Sequence, residues 1–423
     1  MTAAGSPNHT AFRYMTRFEC SGSACGDSCC RGGWQIHVDQ PHYKKLRDAM
    51  DATPALRREF DESVRRVKDS TRSRGKFALH VLDQNGACKL LRPDGLCSVH
   101  ARWGESHLSD TCAIYPRVVS RTAGRFELGG SLSCPEVARQ VLLHDDALEL
   151  VVAPPSVFAR PIVFQELGDH PAAPYLRFHD ELKNLAVDLL GDARFPLKSR
   201  LGFVAWFANR VGAFLDAKST TLDEARLGAE LEIILDPSMR TELDQRFGAI
   251  APDTTLGAKV AVPLLAAGTR NNGTEGLRRL LDGALVTYVG SGEHDAAAAA
   301  AGYAAARTRL AADAPFIDAI LANYARHYWL REWYTTSPSL LAHHLKLLVR
   351  LAAIRFVALG QPGLADAPSP DVRRERLAAA LVDTVQKFAR VFEHDREFTR
   401  VLQAELAGAG MITLAHATCL ASF

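Results

Sequence analysis

Neither sign of charge is in excess in this 423-residue chain: 50 Lys and Arg stand against 48 Asp and Glu, for a formal net charge of +2. Bulk electrostatics therefore makes no case for nucleic acid or for an acidic membrane surface as a partner. A long uncharged apolar run is also missing. The most apolar stretch, Leu340 to Leu359, is interrupted by His343, His344, Lys346, Arg350 and Arg355. Those groups are costly in a bilayer, so no membrane insertion is expected. The opening residues, MTAAGSPNHTAFRYMTRFEC, lack the apolar centre of an export signal, which points to a reducing, cytoplasmic location. Strand signals are few: Phe126-Glu127-Leu128 and Leu285 to Val289 are short candidates. With 47% apolar and 23% charged residues, the chain is an ordinary globular sequence long enough for more than one domain.

Cysteine is unevenly spent. Eight of the nine lie between Cys20 and Cys134, and the rest of the chain carries only Cys419. With no export signal, disulfides are the weaker use and metal or cluster ligation by thiolates the stronger. The first group, Cys20, Cys25, Cys29 and Cys30, reads C-x4-C-x3-C-C, with Gly22, Ser23, Gly26, Asp27 and Ser28 suited to a tight loop. Cys88 and Cys97 flank a turn at Pro93-Asp94-Gly95. Cys112 sits in TCAIYPR, and Cys134 precedes Pro135 at an expected helix start. A thiolate there is expected to gain from the helix N-terminus, with a lowered pKa. Cys25 and Cys29 fit a zinc knuckle and the later cysteines do not, so spacing does not choose between zinc and iron–sulfur. The C-x3-C-x2-C pattern of radical enzymes is absent, because Gly32 stands at its third position.

The expected fold class is mainly α, with a loop-rich, cysteine- and metal-binding N-terminal domain over 1–150 and an all-helical domain over 151–423. The boundary rests on Pro154, Pro155 and Pro161 and on the loss of cysteine beyond them. An amphipathic helix is expected over 53–69, with Thr53 as N-cap, Pro54 first, and Leu56, Phe60, Val64 and Val67 on its stripe. The polar run KDSTRSRGK after it reads as a solvated loop. Further helices are expected around 175–190, 200–215, 222–235, 275–281 and 296–312, then from Pro315 and from Ser369-Pro370. VGSGEHD at 289–295 reads as a turn into a helix rather than a nucleotide loop. Tyr324, Tyr328, Trp329, Trp333 and Tyr334 read as helix packing, with a cage for a methylammonium group as the alternative.

Four segments in order, CSGSACGDSCCRGGWQIHVD, CKLLRPDGLCSVH, DTCAIYPRV and LGGSLSCPEVARQVLL, resemble the flagellin lysine N-methylase family. The resemblance continues more loosely through APFIDAILANYARHYWLREWY. It implies S-adenosylmethionine-dependent methylation of lysine amines, with flagellin as protein substrate. It also implies a cysteine-bound iron–sulfur cluster, [4Fe-4S], with zinc as the alternative. Its metal positions here are Cys20, Cys25, Cys29, Cys30, Cys88, Cys97, Cys112 and Cys134, beside Trp34, Tyr115, Pro116 and Arg117. Methyl transfer needs a neutral amine, and a free lysine with a pKa of about 10.4 is protonated at neutral pH. Tyr115 and Asp110 are the candidate groups to handle that proton, and Arg117 is the candidate fork for the donor's carboxylate. The glycine-rich strand–turn–helix of the common methyltransferase fold is not found. The competing function is a non-catalytic metal-binding adaptor or redox-sensing module.

Overall fold

The computed structural model describes residues 8–67, 76–158, 160, 162–168, 171–268, 275–290, 296–393 and 396–423. Most of KDSTRSRGK and of VGSGEHD, and Pro161, lie outside the described residues. The chain is mainly helical and divides into two compact units. The first comprises residues 1–140, 149–167 and 271–273; the second comprises 141–148, 168–270 and 274–423.

The first unit holds two small sheets. The larger has the order Leu150–Val152, His9–Phe12, Arg125–Gly130, Arg117–Thr122, Val163–Leu167. Its central hairpin pairs Thr122 with Arg125 across a two-residue turn. Ala123 and Gly124 both have positive φ, 48° and 71°, the geometry of a tight hairpin turn whose twist matches its strands. The smaller sheet has the order His37–Val38, Ala78–His80, Val64–Arg66, all antiparallel. Helices Gln40–Met50 and Pro54–Ser63 cover it, burying Tyr43, Leu46, Met50 and Phe60 with Val38, Val64 and Ala78. Cys88 and Cys97 pack on the edge of this core.

Thr53 caps its helix as expected, accepting from Leu56 N at 3.2 Å. The helix stops at Ser63, short of the expected 69, because Val64–Arg66 leaves it to pair with Ala78–His80. A β-branched residue gives up little helical stability and gains a ladder there. Leu285 to Val289 goes the other way: it is the last part of helix Glu275–Val289.

The second unit is helical, built on Leu340–Leu359, all twenty of whose residues are buried. Helices Leu197–Gly212, Thr254–Gly268, Glu275–Val289, Pro370–Phe392 and Leu414–Ser422 pack against it. Arg350 and His344, two of the polar groups that interrupt this stretch, are engaged inside the unit. Arg350 lies over the Tyr328 ring at 5.0 Å. His344 Nε2 donates to the Leu201 carbonyl at 2.9 Å, and its Nδ1 accepts from Trp329 Nε1 at 3.3 Å. Tyr324, Tyr328, Trp329, Trp333 and Tyr334 are all buried. They are packing residues, and the cation over one of them is the protein's own Arg350. Among the described residues no helix is long and apolar enough to cross a membrane.

Burial holds the His344 imidazole down to about 4. Protonating Nδ1 would also set its new N–H against the Trp329 N–H. A folded-state pKa below the ordinary 6.5 stabilises the fold fully above 6.5, and that contribution is lost as pH falls toward 4. Each pH unit across this window is expected to cost about 1.4 kcal/mol. Denaturant titrations of tryptophan fluorescence at pH 7.5 and 5 check this. His344→Gln should lower stability at pH 7.5 and flatten its pH dependence; an equally steep dependence in that variant would remove His344 as the cause.

Candidate metal centre and its surroundings

The cysteines of the first unit are carried on four short pieces of chain that interlock through glycine. Cys29–Arg31 is a single 3-10 turn capped by Ser28, whose Oγ accepts from Cys30 N at 3.3 Å. Cys88 N donates to the Cys30 carbonyl at 2.8 Å, and Gly33 N to the Gly86 carbonyl at 3.2 Å. Gly33 and Gly86 both have positive φ, 69° and 79°, and a Cβ on Gly86 would lie 3.3 Å from Gly33 Cα. Only glycine supplies both the conformation and the clearance. Cys97 is the N-cap residue of helix Ser98–Trp103. Cys112 is in helix Asp110–Ile114, and Cys134 stands just before helix Pro135–Leu143.

All nine cysteines are free thiols. Mutual electrostatics links the eight N-terminal ones in overlapping neighbourhoods, because Cys29 acts on Cys30, Cys88 and Cys112 and also on Cys25. The Cys30 thiol is raised by Cys29, which it meets directly, then by burial, and by Cys97 and Cys112. The Cys88 thiol is pushed up to about 11 by burial, and further by Cys97 and Cys29. Cys112 keeps surface as a residue, yet protein around its sulfur raises it to about 12, with Cys97, Cys88 and Cys29 adding to the shift. Cys29, Cys30, Cys88, Cys97 and Cys112 are thus one set. Around Cys134, burial pushes the thiol up to about 11, and Cys25 and Cys20 add to it; Cys29 joins this group to the first through Cys25.

Cys134 corrects the expected effect of the helix start. Backbone N–H groups of Val137 and Glu136 do favour its thiolate, but desolvation and the neighbouring sulfurs outweigh them. Thiols crowded like this resist ionisation together. A bound cation reverses that balance by taking up the thiolates' charge, so binding releases protons. On that chemistry the donor set fits a thiolate-ligated metal or cluster.

Helix Asp110–Ile114 also carries the candidate reaction groups at its two ends. Tyr115, its C-terminal cap, meets Trp34 edge-on at 5.5 Å between centroids. Its hydroxyl shares a hydrogen bond with Ser133 Oγ at 3.0 Å, and Ser133 with Ser131 Oγ at 2.7 Å. The sequence offers Ser133 only as an alternative to Cys134 at the helix N-cap and gives neither serine a functional role; the only local hint is their place in SLSCP. Arg117 donates from Nε to the Val157 carbonyl at 3.1 Å and lies 5.6 Å from the Phe18 ring. Asp110 accepts from Arg160 Nη1 at 2.5 Å, and Arg160 also donates to the Glu105 and Leu108 carbonyls. His42 stands 3.9 Å from Asp110 and 2.5 Å from Asp39. Among the described residues Asp39, His42 and Asp110 close to within 4.8 Å of one another, but Arg160 already neutralises Asp110. This is a charge network that ties helix Gln40–Met50 to helix Asp110–Ile114.

A family profile described as the FliB lysine N-methylase C-terminal domain matches residues 183–420. The chain is 29% identical over 256 residues to the lysine-N-methylase of Salmonella typhimurium, a match covering 59% of each protein. It is 28% identical to that of Salmonella choleraesuis, again over 59% of each. It is 35% identical over 137 residues to the flagellar biosynthetic protein FliU of Salmonella muenchen, covering 32% of this chain and 78% of that protein. The chain thus spans less than two thirds of the length of the two lysine-N-methylases it matches. No solved structure matches it.

Proposed function

Since the chain belongs to the FliB lysine N-methylase family, we propose that it transfers the methyl group of S-adenosylmethionine to lysine side chains of flagellin. The observation that carries this reading is the family match over 183–420 in a chain whose first unit gathers the cysteine motifs. We assign Cys29, Cys88, Cys97 and Cys112 as the ligands of an iron–sulfur or zinc centre, with Cys30 beside them. When bound, such a centre supplies the cross-link that orders these loops. The relative named as a flagellar biosynthetic protein supports flagellin as the substrate, and a cytoplasmic location follows from that role.

The transfer itself asks two things of the protein. The lysine nitrogen must be neutral, so that its lone pair forms the new N–C bond as the methyl–sulfur bond breaks and its electrons return to sulfur. The proton must leave the amine beforehand, because an ammonium has no lone pair to attack with. The Tyr115 hydroxyl, continuous with Ser133 and Ser131, is assigned to hold the amine and lead that proton away. Asp110, already paired with Arg160, is assigned only to hold helix Asp110–Ile114, and with it Tyr115, in place. Arg117 spends Nε on the Val157 carbonyl while its guanidinium lies over the Phe18 ring, which leaves its two Nη groups as the fork for the donor's carboxylate.

Protein purified without oxygen should transfer a labelled methyl group from S-adenosylmethionine to lysines of its cognate flagellin. The rate should rise with pH until the amine or its base is fully deprotonated. Arg117→Lys should raise the donor KM about tenfold with metal content unchanged, since Lys cannot both anchor to Val157 and present a fork. An unchanged KM would take Arg117 out of the donor site. Metal-replete protein that labels no lysine would leave the adaptor or redox-sensing module as the reading.

A further inference from the structure

In the second unit, helices Leu197–Gly212, Ala296–Arg309, Ala314–Arg331 and Leu340–Leu359 contribute to the walls of a pocket of about 490 Å³. That is the size of a small-molecule site. Its charged lining is lopsided: Lys198, Arg307 and Arg355 face a single carboxylate, Asp318. Asp318 is already taken, accepting from Arg355 Nη2 and from Leu197 N, both at 3.2 Å. Arg307 and Lys198 are held by main-chain carbonyls instead. Arg307 Nη1 donates to Ser422 O at 2.8 Å, and Lys198 Nζ to Gly248 O at 3.2 Å and Ile250 O at 2.5 Å.

Carbonyls orient a cation without neutralising it. Among the described residues neither Arg307 nor Lys198 has a carboxylate within ion-pair distance. Both groups are pushed below their ordinary values, by burial first; Arg307 lowers Lys198 further and Asp244 opposes it, while for Arg307 Tyr303 and Asp318 oppose the shift and Arg355 adds to it. Two cations held side by side on fixed carbonyls form a preset receptor for an oxyanion. Leu310, Ile317 and Leu359 line the rest of the pocket and suit an apolar body.

We infer that this pocket binds a small organic oxyanion, its phosphate or carboxylate seated between Lys198 and Arg307 and its apolar body against Leu310, Ile317 and Leu359. The site uses none of the residues assigned to methyl transfer, so either reading can fail alone.

Calorimetric titration of the full chain with phenyl phosphate, benzoate and phenol tests it. Phenyl phosphate or benzoate should bind at one site at least tenfold more tightly than phenol, and whichever binds assigns the anion. Lys198→Gln and Arg307→Gln should each weaken that binding about tenfold, and Arg307→Lys should recover part of it. Each variant is first checked for an unchanged unfolding midpoint, and the charge-retaining Arg307→Lys serves if a glutamine variant does not fold. Phenol binding as tightly as the anions, no anion binding at millimolar concentration, or variants that bind like the parent would each overturn the proposal.

Discussion

If the first unit holds the proposed metal, serine in place of Cys97 is expected to remove most of it while leaving its helix intact. Cys97 is the N-cap of Ser98–Trp103, and serine is among the best N-cap residues, so local structure should be kept or improved. What serine cannot do is act as a soft thiolate ligand. Cys97 adjoins Cys30, Cys88 and Cys112, so losing it opens one corner of the proposed ligand set. Metal retention against a chelator is expected to fall at least tenfold, and the first unit should lose several kcal/mol of stability, on the order expected when a structural metal site is opened. Cys112→Ser should behave alike. Cys419→Ser, in helix Leu414–Ser422 of the second unit, should change neither quantity. Iron, sulfide and zinc analysis of anaerobically purified variants measures this directly. Full metal content in both the Cys97 and Cys112 variants would show that the ligands lie elsewhere.

Gly302→Ala should destabilise the second unit by about 1–2 kcal/mol, against the ordinary trend. Inside a helix alanine is better than glycine by about 1 kcal/mol. Gly302 sits in Ala296–Arg309, and a Cβ there would lie 2.5 Å from the Tyr288 carbonyl oxygen and 2.6 Å from Tyr288 Cα. Those are backbone atoms, which cannot rotate away. The partner helix is also pinned, because the Tyr288 hydroxyl donates to the Phe356 carbonyl at 2.7 Å in the buried helix Leu340–Leu359. Relief therefore requires moving one helix relative to two others, the kind of overpacking that costs about 1–3 kcal/mol, of which alanine's propensity gain offsets about 1 kcal/mol. Gly228→Ala is the control: that helical glycine has nothing within 4 Å of its Cβ position, so alanine should stabilise slightly. Thermal unfolding of the two variants decides the matter. Midpoints that rise together would mean the helices do not approach as closely as described.

Features of the protein that depend on a few neighbouring residues could be read from its sequence. Thr53 and Ser369 cap the helices they were expected to open, because a cap needs only its own hydroxyl and an N–H three residues on. The helical second unit was legible in the same way, from apolar spacing and propensity along one segment at a time. The cysteine concentration and the four-motif resemblance pointed to the family, which rests on residue identity rather than on geometry.

Tertiary structure decided what depends on partners far along the chain. Val64 leaves the expected helix because Ala78–His80 offers it a ladder. Leu285 to Val289, β-like in composition, is helical because Tyr288 packs on Phe356. The hairpin at Ala123-Gly124 lacks the Asn-Gly or Asp-Gly signal, so while Phe126-Glu127-Leu128 was a strand candidate in the sequence, its partner Arg117–Thr122 emerges only through pairing. The grouping of cysteines is the clearest case. Spacing set Cys88 and Cys97 apart from Cys29 and Cys30, whereas folding brings them together with Cys112. Loop closure between such distant segments is driven by the core of Tyr43, Phe60 and Leu90 behind them, a long-range burial that no local pattern encodes.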